Sequence, residues 1–192
     1  MYFIRHGESE FNKAFAATGR DPMIEDAPLT ARGTTQAEGA ARHFLNLQNH
    51  PEAPSKMPRR IICSPYTRAL QTAHAIAKPL GLKVSVNPLL GERRLYSCDI
   101  GTPCATLKST WGEADFSAVD RESWWPPSSE GDADIERRVN AFLTLEDQAR
   151  EDEAGEALVV SHWYFIFTAS QLDCDNCQIV WRDKRGRFHR QN

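Results

Sequence analysis

Three short apolar runs constrain this chain most. Residues 2–4, 60–63 and 157–160 each suit a buried strand, and each stops at polar residues: Arg5-His6-Gly7, Ser64-Pro65 and Ser161-His162. Runs this short, bounded by turn-forming residues, read as strands of a buried parallel sheet rather than as helices. Helical patterns separate them. Thr30 is a candidate N-cap for a helix carrying Ala37, Ala40, Ala41, Phe44, Leu45 and Leu47. Ser64-Pro65 opens a helix carrying Ala69, Leu70, Ala73, Ile76 and Ala77, which Gly81 ends. Residues 82–86 alternate as a third strand, and residues 135–145 and 163–171 are helical. Strands alternating with helices predict an α/β fold, a three-layer α/β/α sandwich with a mostly parallel central sheet.

The remaining stretches are loops or edges. The region between Gly7 and Pro28 reads as polar loop. Residues 51–58 read as a solvent loop, and the acid-rich stretch 145–156 as a solvated helix end. Residues 88–127 lack periodicity and are rich in Gly, Trp and Pro, which marks a functional loop or an insertion, at about 91–127. Residues 178–181 and 187–189 flank Asp183-Lys184-Arg185-Gly186 as a terminal hairpin.

A length of 192 residues predicts one domain over 1–192, with core enough to fold without disulfide staples. A net charge of −3 gives no electrostatic case for nucleic-acid binding. The longest apolar stretch, 157–170, is too short for a membrane span and contains Ser161 and His162. The first residues show no charged leader before an apolar run, so a cytoplasmic protein is expected. Five cysteines do not suggest a disulfide framework, and a lone Cys174-x-x-Cys177 lacks the further ligands a zinc site needs. No metal and no cofactor are expected.

The polar strand ends carry the chemistry. In open α/β sheets ligands sit beyond the carboxyl ends of the strands. Arg5, His6, Arg68 and His162 are therefore expected at one rim. Two guanidiniums and two imidazoles around one point make an anion site, since arginine pairs bidentately with phosphate oxygens.

These segments resemble the histidine phosphatase superfamily, the phosphoglycerate-mutase-like enzymes. Arg5-His6-Gly7-Glu8-Ser9 is similar to its R-H-G-[ET]-[ST] signature, continued by Asn12, and Thr18-Gly19 stands where members contact substrate. Residues 28–37 resemble the LTxxGxxQA helix entry, and residues 64–72 the SPxxRAxQT segment. Leu90-Gly91-Glu92 resembles the LxE region that supplies the acid. Residues 130–139 are loosely similar to the GES…R-V helix start, and residues 159–162 to the second-histidine segment.

The resemblance implies a metal-independent phosphomonoesterase acting on a small-molecule ester, with phosphate or sulfate as site ligands. His6 attacks phosphorus through Nε2 to form a phosphohistidine, which requires a backbone acceptor for its Nδ1–H. Arg5, Arg68 and His162 hold the transferring phosphoryl group, and Asn12 adds a neutral donor. Glu92 protonates the leaving oxygen and then activates water. That role needs a raised pKa, hence partial burial in the pocket wall. Glu8 is either a support or a second proton donor.

The sequence departs from the family pattern at Trp163, where glycine usually follows the second histidine. Trp111, Trp124 and Trp125 either cap the pocket or form the insertion's own small core. A phosphoglycerate-type mutase is the alternative within the class. Against it, only 30 residues follow His162, and the segment from Gly91 to Pro127 lacks the mutase's paired downstream arginines, with only Lys108 and Arg121 basic beyond Arg94. A catalytically silent phospho-ligand-binding protein is the alternative outside it.

Overall fold

A computed structural model describes residues 1–48, 57–151 and 156–190. Six strands form one sheet: β1 (Tyr2–Arg5), β2 (Arg60–Cys63), β3 (Val84–Val86), β4 (Ala157–Ser161), β5 (Ile179–Arg182) and β6 (Phe188–Arg190). Their order is β3-β2-β4-β1-β5-β6. The β3-β2, β2-β4 and β4-β1 pairs are parallel, and the terminal hairpin β5-β6 adds on antiparallel.

Strand alternation divides the core in two. Tyr2, Ile4, Ile61, Cys63, Leu158 and Val160 face one side, with residues of α2 (Ala31–Gln48) and α3 (Thr67–Leu80). Met1, Phe3, Ile62, Val159 and Val180 face the other, with residues of α5 (Asp132–Glu151) and α6 (Trp163–Ser170). The period-2 geometry of each strand therefore buries both faces, which builds the expected three layers. Each large side chain fully buried this way contributes about 1.5–3 kcal/mol.

The structure departs from the sequence reading in three places. The supposed polar loop after Gly7 contains α1 (Glu10–Thr18). Ser9 caps it by accepting the Asn12 N–H at 3.2 Å, and Asn12 Oδ1 accepts the Ser9 N–H at 3.1 Å. Asparagine thus replaces the usual Glu or Gln of a capping box. Helix α3 starts at Thr67 rather than at Ser64-Pro65. A residue preceding proline is biased away from helical angles. The Thr67 N–H instead finds its cap across the fold, at Asp26 Oδ1, 2.8 Å away. Finally, the irregular stretch holds a short helix, α4 (Cys104–Thr110), and two single 3₁₀ turns, Pro88–Leu90 and Ser97–Asp99.

Trp124 joins the main core. Its ring meets Tyr66 edge-on at 4.7 Å and its Nε1 donates to the Thr102 carbonyl at 2.9 Å. Trp111 and Trp125 pack against the same core. Most of the 51–58 loop reading and part of the acidic stretch fall outside the described residues.

Candidate active site

Strand register brings the key residues together. Arg5 pairs with Ser161, and Cys63 with Val160. One residue further, the His6 N–H donates to the Ser161 carbonyl and the Ser64 N–H to the Val160 carbonyl, both at 3.0 Å. The carboxyl ends of β1, β4 and β2 thus present His6, His162 and Ser64 side by side. The two imidazole rings lie 5.1 Å apart.

His6 is buried, and its Nδ1 lies 2.7 Å from the Gly7 carbonyl. A carbonyl only accepts, so Nδ1 carries the proton and Nε2 keeps its lone pair. Burial, and then the nearby Arg68 and Arg5 charges, hold the His6 pKa well below its ordinary value. A neutral imidazole with a free Nε2 is a nucleophile. The glycine is needed for the turn: a Cβ at Gly7 would meet the Gly33 carbonyl oxygen at 2.4 Å, and one at Gly33 would meet the Glu8 carbonyl oxygen at 2.1 Å.

The cations are held from behind. Arg68 donates to the Cys98 carbonyl at 2.8 Å and to Asp99 Oδ1 at 3.2 Å, and lies 4.5 Å from the Tyr66 ring centroid. Tyr66 itself donates to the Asp99 carbonyl at 2.7 Å. Arg5 donates to the Cys174 carbonyl at 2.9 Å, while its own carbonyl accepts the Cys177 N–H at 2.9 Å. The C-x-x-C segment therefore uses its backbone to seat Arg5. Among the described residues no group of three or more His, Cys, Asp or Glu side chains could hold a metal ion. The Nε of Arg5 and the Nδ1 of His162 are both buried without a partner. His162 Nε2 lies 2.8 Å from Ser64 Oγ. An anion in reach of Arg5 Nε would satisfy that donor, and His162 Nδ1 is a further donor in the tautomer in which Ser64 Oγ donates to Nε2; unpaired buried donors are otherwise costly.

Glu92 lies partly buried in the wall of the cavity that His6 lines, a space of about 230 Å³. Its Oε1 accepts the N–H groups of Arg93 at 2.9 Å and Tyr164 at 3.1 Å. Desolvation, with the Asp99 charge adding to it, raises its pKa to about 7. A carboxyl tuned there can give and take protons near neutral pH.

Arg5, His6, Asn12, Arg68 and Glu92 line this one cavity, while the buried His162, next to His6, is not among its lining residues. Thr18 and Gly19 lie outside the lining. Both are exposed at the end of α1, where the Thr18 hydroxyl bonds the Ala14 carbonyl and Gly19 is the left-handed cap. Glu8 is turned away as a support, accepting from the Thr30 hydroxyl at 2.9 Å and pairing with Arg32.

Three contributors escaped the sequence. Asp99 orients Arg68, and Asn176 donates to the His6 carbonyl at 2.9 Å. Arg138 donates to the carbonyls of Leu89, Gly91 and Glu92 at 2.8–3.1 Å, fixing the loop that carries the acid. Only Arg138 had left a signal, in the R-V pair with Val139.

A family model described as "Histidine phosphatase superfamily (branch 1)" matches residues 1–172. The chain belongs to the histidine phosphatase superfamily. It is 31% identical over 166 residues to "Probable phosphoglycerate mutase GpmB" of Yersinia enterocolitica, covering 84% of this chain and 68% of the relative. Among solved structures it is similar to the Bombyx mori ecdysone phosphate phosphatase in complex with tungstate. That match has TM-score 0.69 and 14% identity, over 100% of this chain and 91% of the other. It is also similar to a mycobacterial glucosyl-3-phosphoglycerate phosphatase complexed with VO3, with TM-score 0.62 and 21% identity, over 100% and 97% of the two chains. At these identities the structural likenesses establish the fold alone, the phosphoglycerate-mutase-like α/β sandwich. Phosphatases and mutases of the superfamily share phosphoryl transfer, and that reaction type is the enzyme class membership supports. No helix among the described residues is long and apolar enough to cross a membrane.

Proposed function

We propose that this histidine phosphatase superfamily member is a metal-independent phosphomonoesterase working through a phosphohistidine on His6. The observation that carries the reading is the 2.7 Å contact between His6 Nδ1 and the Gly7 carbonyl, which leaves Nε2 as the attacking atom.

In the first step the Nε2 lone pair forms the N–P bond as the ester P–O bond breaks. Glu92, protonated, gives its proton to the departing alkoxide, so a neutral alcohol leaves. Charge spreads over the phosphoryl oxygens, and Arg5 and Arg68 meet it from the cavity wall, with Asn12 as a neutral donor and His162, beside His6, donating from Nδ1 in the tautomer in which Ser64 Oγ donates to Nε2. These fixed cations take the part a divalent ion takes in other phosphoryl-transfer sites. In the second step Glu92, now a carboxylate, removes a proton from water. The water oxygen bonds phosphorus, the N–P bond breaks, inorganic phosphate leaves, and Glu92 is protonated again.

The test is rapid acid-free quenching with ³²P-labelled phosphomonoesters in the presence of chelator, for wild type and His6→Ala. An alkali-stable, acid-labile phosphoprotein that forms in wild type, turns over and is absent in the variant supports the reading. Turnover without it, or turnover lost on chelation, overturns the reading. Interconversion of phosphoglycerates without net phosphate release would assign the mutase instead, and saturable phosphate binding with no turnover the silent binder.

A further inference from the structure

We propose that the leaving group this site accepts is an uncharged aromatic or arylalkyl alcohol. The inference deepens the phosphomonoesterase reading and rests on it. Phe11, Phe15 and Tyr96 form one aromatic cluster in the cavity wall, with ring centroids 5.2–5.6 Å apart. Trp163 and Tyr164 line the same cavity, their rings 4.7 Å apart and nearly perpendicular. Trp163 is fixed in place. It stacks on Phe167 at 5.1 Å, and its Nε1 donates to Asp173 at 2.6 Å. Rigid aromatic surfaces of this kind bind flat apolar groups at little entropic cost.

The exposed apolar surface collects at the same place. Of the four large hydrophobic side chains that stand exposed among the described residues, three gather there, Met23, Leu95 and Tyr96, and the fourth, Leu145, lies on α5. Leu95 (38% exposed) and Tyr96 (41%) line both the His6 cavity and an adjoining one of about 380 Å³, and Met23 (76%) lines the latter. Apolar side chains gathered at a cavity mouth mark a binding surface, whereas scattered ones need no explanation.

Charge points the same way. Beyond Arg5 and Arg68, the cation lining the His6 cavity is Arg93. It is committed to Asp132 at 2.6 Å and to the Glu130 carbonyl at 2.9 Å. In the adjoining cavity Arg94 shares the wall with Asp21 and Glu25 and donates to the Pro126 carbonyl at 2.6 Å. A carboxylate on the leaving group would there compete with Asp132 for Arg93 and, beside Arg94, face the Asp21 and Glu25 carboxylates. The His6 cavity is also below the roughly 300 Å³ at which drug-sized ligand sites begin. It suits a phosphoryl group and one ring, and anything longer crosses Leu95 and Tyr96 into the adjoining cavity.

Calorimetry with three non-hydrolysable probes tests this without turnover: methylphosphonate, benzylphosphonate and phosphonoacetate. Benzylphosphonate is expected to bind at least about tenfold more tightly than methylphosphonate. That ratio should fall towards one in Tyr96→Ala and in Phe15→Ala, and return in Tyr96→Phe. In parallel, kcat/KM for benzyl phosphate should exceed that for glycerol 3-phosphate, whose leaving alcohol is of similar acidity. Equal affinities, or tightest binding of phosphonoacetate, overturn the proposal. Turnover of both esters at equal kcat/KM overturns it while leaving the phosphomonoesterase standing. The benzyl preference without turnover of any ester leaves the aromatic subsite standing and removes the phosphomonoesterase.

Discussion

Arg138 and Glu130 form a two-point ion pair. Arg138 Nε meets Oε1 at 2.9 Å and Nη2 meets Oε2 at 2.8 Å. The pair holds the guanidinium where its remaining hydrogens reach the carbonyls of Leu89, Gly91 and Glu92, so it sets the position of the acid without touching the cavity's reacting atoms. Replacing one partner leaves the other buried and unpaired.

Arg138→Met is therefore expected to cost about 3 kcal/mol of stability, read by denaturant unfolding. Because Glu92 would lose its fixed place, kcat should fall at least about tenfold for esters of poor leaving groups. The loss should be much smaller for p-nitrophenyl phosphate, whose leaving group needs little protonation. An equal loss for both would show that Arg138 acts through general stability alone.

The pH profile should follow Glu92. The first step needs its protonated form, so phosphoenzyme formation should decline as pH rises through about 7. His6, whose pKa is held well below its usual value, should not limit the rate in the same range. Asp99 helps raise the Glu92 pKa, so Asp99→Asn should move the decline to lower pH. A decline that stays put in that variant would mean another group titrates.

The same shift has a consequence for stability. The native state binds a proton on Glu92 that the unfolded state has already released between the ordinary carboxyl pKa of 4.5 and about 7. Stability therefore falls as pH rises through that window. Glu92→Gln removes the dependence and should be more stable than wild type above pH ~7, by at most about 3 kcal/mol. Thermal melts at paired pH values, with wild type losing no more than the variant, would contradict this.

Gly7→Ala tests the turn that holds the nucleophile. The added Cβ would overlap the backbone of Gly33, which has no flexible end to yield. A loss of about 3 kcal/mol is expected, together with displacement of the carbonyl that fixes the His6 tautomer. Gly39→Ala, where the nearest atom to an added Cβ is the end of Arg42 at 3.8 Å, is the control and should change stability little.

Much of this protein was legible in one dimension. The runs at residues 2–4, 60–63 and 157–160 are strands because a period-2 chain buried on both faces must be apolar throughout. The polar residues ending them stand at the rim because parallel strands put their carboxyl ends on one side. His6, Arg68, Glu92 and His162 could be named from the strand ends and the family resemblance together. Helix α1 and the start of α3 were harder. One uses asparagine where a capping box usually has Glu or Gln, and the other takes its cap from Asp26, far away in sequence.

What only the tertiary structure decided is the environment of each group. That Glu92 has a raised pKa depends first on burial by distant segments and then on the Asp99 charge. That Arg68 is oriented depends on Asp99, Tyr66 and, beneath Tyr66, Trp124. The aromatic wall joins Phe11 and Phe15 of α1 to Tyr96 of a loop about eighty residues on. The sequence by itself determined which residues stand at the strand ends, since strand periodicity and helix caps are local. Solvation, charge pairing and cavity shape are sums over neighbours in space, and those neighbours exist only once the chain has folded.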